Sequence, residues 1–62
     1  MRLSPRQEQI LELVAQGCSD KEIARRLNMS ARTVGTHLSR LYARYQVHSR
    51  SAVIAMWIRS GR

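Results

Sequence analysis

The chain has 62 residues, which limits it to one small domain with a thin core and leaves no room for a two-domain enzyme. Hydrophobic residues make up 44% and charged residues 24%, a globular composition, and no apolar run approaches the roughly 20 residues of a membrane span. Eleven basic residues against four acidic ones give a net charge of +7. The acids, Glu8, Glu12, Asp20 and Glu22, all lie in the first 22 positions, and residues 23–62 carry arginines and no acid. Such a one-sided excess selects a polyanion as partner. The single cysteine, Cys18, has no partner for an internal disulfide, so stability rests on helix packing or on assembly. The N-terminal Met-Arg-Leu-Ser-Pro lacks the apolar stretch of a signal peptide, and a cytoplasmic location is expected.

Start and stop signals predict four helices and no strand. In Ser4-Pro5-Arg6-Gln7 a capping serine precedes a proline at the first helical position, with glutamine three residues after the cap. A first helix follows from about Pro5 to Gln16, with Gly17 as its left-handed stop. Ser19-Asp20-Lys21-Glu22 is a second capping box and opens a two-turn helix over 20–27, which Asn28 can end in the left-handed region. Ser30 caps a third helix over 31–45, and Ser49 a fourth over about 50–60, before Gly61. The three-residue connection Asn28-Met29-Ser30 between a short helix and a longer one has the spacing of a helix-turn-helix. Short connections also occur in other helical bundles, so the third helix must decide.

At 100° per residue, Val34, Leu38, Leu41, Tyr42 and Tyr45 fall on one face of that helix and form its core side. The opposite face carries Gly35, Thr36, Ser39 and Ala43, flanked by Arg32, Arg40 and Arg44, with no acid. A solvated face usually mixes both signs of charge for pairing along the helix. Small side chains instead let the backbone approach another surface, and arginines reach phosphates or guanine edges, so this face is read as the one entering a DNA groove.

The fourth helix has more apolar surface than a domain of this size can cover. Val53, Ile54, Trp57 and Ile58 form a bulky arc suited to the domain's own core, and Ala52, Ala55, Met56 and Arg59 a flatter stripe suited to helix-on-helix contact about a two-fold axis. Two other function classes compete with DNA binding. A helical protein-interaction module could use that stripe alone, and a cationic helix could lie on an anionic membrane. Membrane binding would put arginines around an apolar face of one helix, whereas here the third helix's arginines surround small polar residues. That separation favours DNA.

These residues resemble a known family. Leu3-Ser4-Pro5-Arg6, Ile10-Leu11, Ala15-Gln16-Gly17, Ser19-Asp20-Lys21-Glu22-Ile23-Ala24, Leu27, Met29-Ser30, Thr33-Val34, His37, Val47, Ser49-Arg50 and Gly61 are similar to the LuxR-type (GerE-type) helix-turn-helix domain of bacterial transcription regulators, over almost the whole chain. The resemblance implies an all-α, four-helix domain spanning 1–62, the third helix in the major groove and the fourth at a homodimer interface. It implies the output domain of a response regulator or ligand-sensing regulator, double-stranded DNA and RNA polymerase as partners, association with the bacterial nucleoid when bound, and no cofactor. Carried over by position and joined to the flanking arginines, it assigns phosphate contacts to Lys21, Ser30, Arg32, Thr33 and Arg44. Base readout falls on Gly35, Thr36, Ser39 and Arg40, and the dimer seam on Ala52, Ala55, Met56 and Arg59. Lysine is usual in the family where this chain has Gly35, asparagine is frequent where it has Asp20, and glycine or asparagine where it has Gln46; Gln7 replaces a glutamate, and Trp57 an alanine.

No enzyme is visible. His37 and His48 are eleven positions apart, and with Cys18 they match no zinc spacing and fall short of four ligands. Cys18 follows Gly17 in a loop, without a glycine-rich phosphate cradle or paired carboxylates to complete a site. His37 has two open readings, a neighbour of the DNA backbone or a core histidine.

Overall fold

A computed structural model describes residues 2–61. Four α-helices follow in order, α1 Pro5–Ala15, α2 Asp20–Leu27, α3 Ala31–Tyr45 and α4 Arg50–Arg59, with no strand among the described residues. The protein is all-α. Each start is chemically marked. Ser4 accepts from the Gln7 backbone N–H at 3.2 Å while Gln7 Oε1 accepts from the Ser4 N–H at 2.9 Å, and Ser19 and Glu22 repeat this reciprocal box at 3.2 and 3.0 Å. Ser30 and Ser49 cap α3 and α4 through the backbone N–H groups of Thr33 and Ala52. The Ser19 backbone N–H and then its hydroxyl hold the Glu22 carboxyl below the usual glutamate range against the opposing effect of desolvation, and the fields of Arg26 and Arg25 add to the lowering.

The first three helices end through one shared device. The N–H groups of Cys18, Met29 and Val47 each reach back five residues, to the carbonyls of Leu13, Ala24 and Tyr42, at 3.0, 2.9 and 2.9 Å. The residue before each donor sits in the left-handed region: Gly17 at φ 89°, Asn28 at 55° and Gln46 at 56°. Glycine enters that region without strain and asparagine with little, but Gln46 carries the Cβ penalty of about 1 kcal/mol or more. α1 stops at Ala15, one residue before the expected end, because Gln16 already serves as its cap. α4 stops at Arg59, with Ser60 as cap.

α2 lies most closely on α3 and α1 on α4, and the apolar faces meet in one core. Ile10, Leu11, Ile23, Val34, Leu41 and Val53 are its largest fully buried side chains, with Val14, Cys18, Ala24, Leu38 and Trp57 also buried. Burial of each large aliphatic side chain contributes roughly 1.5–3 kcal/mol. On α3 the expected core face is the observed one: Val34, Leu38 and Leu41 are buried, and Tyr42 and Tyr45 pack against them half-buried. On α4 the expected arc requires a correction. Val53 and Trp57 are buried and Ile54 half-buried, but Ile58 is 54% exposed, the one large hydrophobic so exposed among the described residues. Val53 and Trp57, four apart, set the inward direction of the helix, and Ile58 lies a further 100° round from Trp57.

Candidate nucleic-acid interface

The capped start of α3 organises one end of the candidate site. The Ser30 and Thr33 hydroxyls are hydrogen-bonded to each other at 2.9 Å, while the Thr33 N–H donates to Ser30 Oγ at 3.0 Å. Two of the assigned phosphate contacts therefore form one unit, and Arg32 stands exposed between them in sequence. Thr36, one turn on, donates its hydroxyl to the Arg32 carbonyl at 3.0 Å, which presents an exposed side chain whose hydroxyl proton is already used. What it retains for a base is its methyl group and its acceptor lone pairs. Ser39, Arg40, Ala43 and Arg44 continue the exposed side of α3. The Arg44 guanidinium lies over the Tyr45 ring, 5.5 Å from its centroid, and the Tyr45 hydroxyl donates to the Arg2 carbonyl at 3.2 Å.

Gly35 departs from the rest of that face. It is half-buried, and a methyl group placed there would lie 3.9 Å from Asp20 Oδ2 at the start of α2. The assigned reading face thus borders the N-terminus of α2, where Lys21 is exposed. Arg50, the first residue of α4, closes this corner: its Nη2 donates to Asp20 Oδ1 in an ion pair, and its Nη1 to the Cys18 carbonyl at 3.3 Å. Neither contact is visible in a helix wheel, because the partners are 30 and 32 residues away.

Other neighbours also escape the sequence reading. Arg25 is exposed one turn beyond Lys21, which extends the basic side of α2. Its only available signal is that four-residue spacing. His48 shares a shallow groove with Ser39, Tyr42, Ala43, Gln46 and Val47, so the connection between α3 and α4 flanks the small-residue face. Burial pushes the Tyr42 hydroxyl up from its ordinary range. His37 is half-buried. The seam residues on α4 divide by exposure, with Ala55 and Arg59 exposed and Ala52 and Met56 half-buried. A second groove, between the end of α1 and α4, is lined by Val14, Ala15, Arg50, Ser51, Ile54, Ala55 and Ile58. No group of three or more His, Cys, Asp or Glu among the described residues could hold a metal, and no helix among them is long and apolar enough to cross a membrane.

A three-residue turn between a two-turn helix and an arginine-flanked one is the geometry of a helix-turn-helix. The family described as bacterial regulatory proteins, luxR family, matches residues 1–57. The chain belongs to the LuxR family. It is a helix-turn-helix domain of DNA-binding transcription regulators. It is 48% identical over 54 residues to YhjB of Escherichia coli (strain K12), named as an HTH-type transcriptional regulator, covering 87% of this chain and 27% of that protein. It is 38% identical over 61 residues to the nitrate/nitrite response regulator protein NarL of Escherichia coli (strain K12), covering 98% of this chain and 28% of NarL. Response regulator Rre1 of Synechocystis sp. is 36% identical over 58 residues, covering 94% of this chain and 25% of Rre1. The chain spans about a quarter of the length of these three relatives.

Proposed function

We propose that the 62 residues are one LuxR-type domain that binds double-stranded DNA sequence-specifically as the output element of a bacterial transcription regulator, working in the cytoplasm and without catalytic activity. The observation that carries this reading is the exposed side of α3, small residues flanked by Arg32, Arg40 and Arg44, with no acidic residue anywhere on the helix. Phosphate contacts from Lys21, Ser30, Arg32, Thr33 and Arg44 set the register on the duplex. Arg40 and Ser39 then supply the base discrimination that Gly35 cannot, since glycine offers no side-chain donor, and Thr36 adds a methyl contact.

The same reading includes a homodimer. Ala52, Ala55, Met56 and Arg59 form an isologous seam on α4, with Ile58 adding exposed apolar area. Two recognition helices related by a two-fold axis read a palindromic operator whose half-site centres lie about 10 to 10.5 base pairs apart. RNA polymerase is the partner acted on from the operator.

Titration of a duplex with the purified chain at several salt concentrations tests the DNA reading. Lys21→Ala and Arg32→Ala together lower the slope of log affinity against log salt by about 0.9 per lost contact, or about 1.8 for the pair. An unchanged slope in the folded double variant overturns it.

A further inference from the structure

We propose that Arg50 is a positioning residue for DNA binding: it pairs with Asp20 and masks the negative charge of that carboxylate at the edge of the recognition face, beside Lys21. This rests on the DNA reading above and assigns a role to a residue that belongs to none of its contacts. Three observations converge on it. The Arg50 guanidinium bridges the Asp20 carboxylate and the Cys18 carbonyl, tying α4 to both sides of the α2 N-cap. Asp20 Oδ2 lies 3.9 Å from a methyl position on Gly35, so the glycine puts no side chain of its own between that carboxylate and the face assigned to the groove. The paired side chains are 40% and 37% exposed, a degree of solvation at which an ion pair contributes little to folding.

The electrostatics follow from position. α3 carries no acid, so Asp20 is the carboxylate that borders its reading face at Gly35. Left unpaired, it would repel the phosphates that Lys21, its neighbour in sequence, is placed to attract. Arg50 offsets that charge by pairing with Asp20 Oδ1, and its second bond to the Cys18 carbonyl anchors the guanidinium there. The carboxylate in turn keeps the arginine's charge at the corner of the domain.

The test measures duplex affinity at 0.1 M salt and thermal melting for the wild type, Arg50→Gln, Asp20→Asn and the double variant. Glutamine keeps an amide donor for the Cys18 carbonyl while removing the charge. Arg50→Gln weakens binding about tenfold, the worth of one charge contact at this salt concentration. Asp20→Asn alone tightens binding, and the double variant returns the affinity to within about threefold of the wild type. Glu8→Gln combined with Arg50→Gln makes the same change of net charge on the exposed first turn of α1. It recovers much less, which separates local masking from overall charge. Equal rescue by Glu8→Gln and Asp20→Asn, or an affinity of Arg50→Gln equal to that of the wild type, overturns the proposal. A lowered melting temperature with unaltered affinity marks a merely structural bridge and overturns it too. If Arg50→Gln fails to fold, Arg50→Lys replaces it: lysine keeps the charge but cannot span both acceptors, so the expected loss is smaller and Asp20→Asn again reverses it, while no reversal overturns the masking. Should Lys21→Ala with Arg32→Ala also leave the salt slope unchanged, the DNA reading itself fails; a normal effect there with no effect at Arg50 removes this proposal alone.

Discussion

α3 and α4 both bury an apolar side, yet the wheel resolves the faces of one and not of the other. Every residue on the outer side of α3 is polar, charged or small, so the hydrophobic direction is unambiguous, and Val34, Leu38 and Leu41 are buried as the pattern requires. In α4 the run from Ala52 to Ile58 has no polar residue to mark the outside. Ile54 and Ile58 look equivalent to Val53 and Trp57 on a wheel, but the packing of α1 and α3 selects the Val53–Trp57 line and leaves Ile58 in solvent. Amphipathic pattern thus assigns a face only where polar residues bound it.

The largest effect expected from this difference is on folding. Leu41→Ala, at a fully buried site of α3, costs about 2–5 kcal/mol, comparable to the whole stability of a chain this short, and abolishes the cooperative melt. Ile58→Ala, an equally apolar truncation on α4, changes stability by no more than about 0.5 kcal/mol. Circular-dichroism melts of the two variants decide whether the asymmetry between the helices is real; equal losses would return Ile58 to the core.

A second prediction sharpens the role of α4's outer side. Ala55→Glu puts a charge at an exposed position in the middle of the proposed seam and so leaves the melt intact. Cooperative binding to a duplex with two half-sites is lost, about tenfold or more in apparent affinity, while binding to one half-site is kept. Retained cooperativity places the seam elsewhere. On α3 the matching test is Arg40→Ala, which relaxes preference at one or two base pairs by about 1–3 kcal/mol, read by selection from randomised duplexes. An identical preferred sequence before and after the change would show that Arg40 does not read bases. The smallest effect concerns the end of α3, where Gln46→Gly relieves a left-handed backbone and raises stability by up to about 1 kcal/mol in a urea titration.

Helix number, starts and turns were legible in the sequence because they depend on contacts three to five residues apart: the Ser4–Gln7 and Ser19–Glu22 boxes, Asn28 in its left-handed turn, and the periodic core line of α3. The LuxR-type resemblance and the acid-free side of α3 were legible for the same reason, since composition along one helix needs no knowledge of its neighbours. The left-handed Gln46 was half visible, as a departure at a place where glycine or asparagine is usual. What only the tertiary structure decided depends on residues distant in the chain. Ile58 faces solvent because α1 and α3 orient α4, Gly35 borders an acid because α2 lies on α3, and Arg50 meets Asp20 and Cys18 across about thirty residues. Local hydrogen bonds and side-chain period carry no information about such long-range pairings, which are set by how the four apolar faces close around one core.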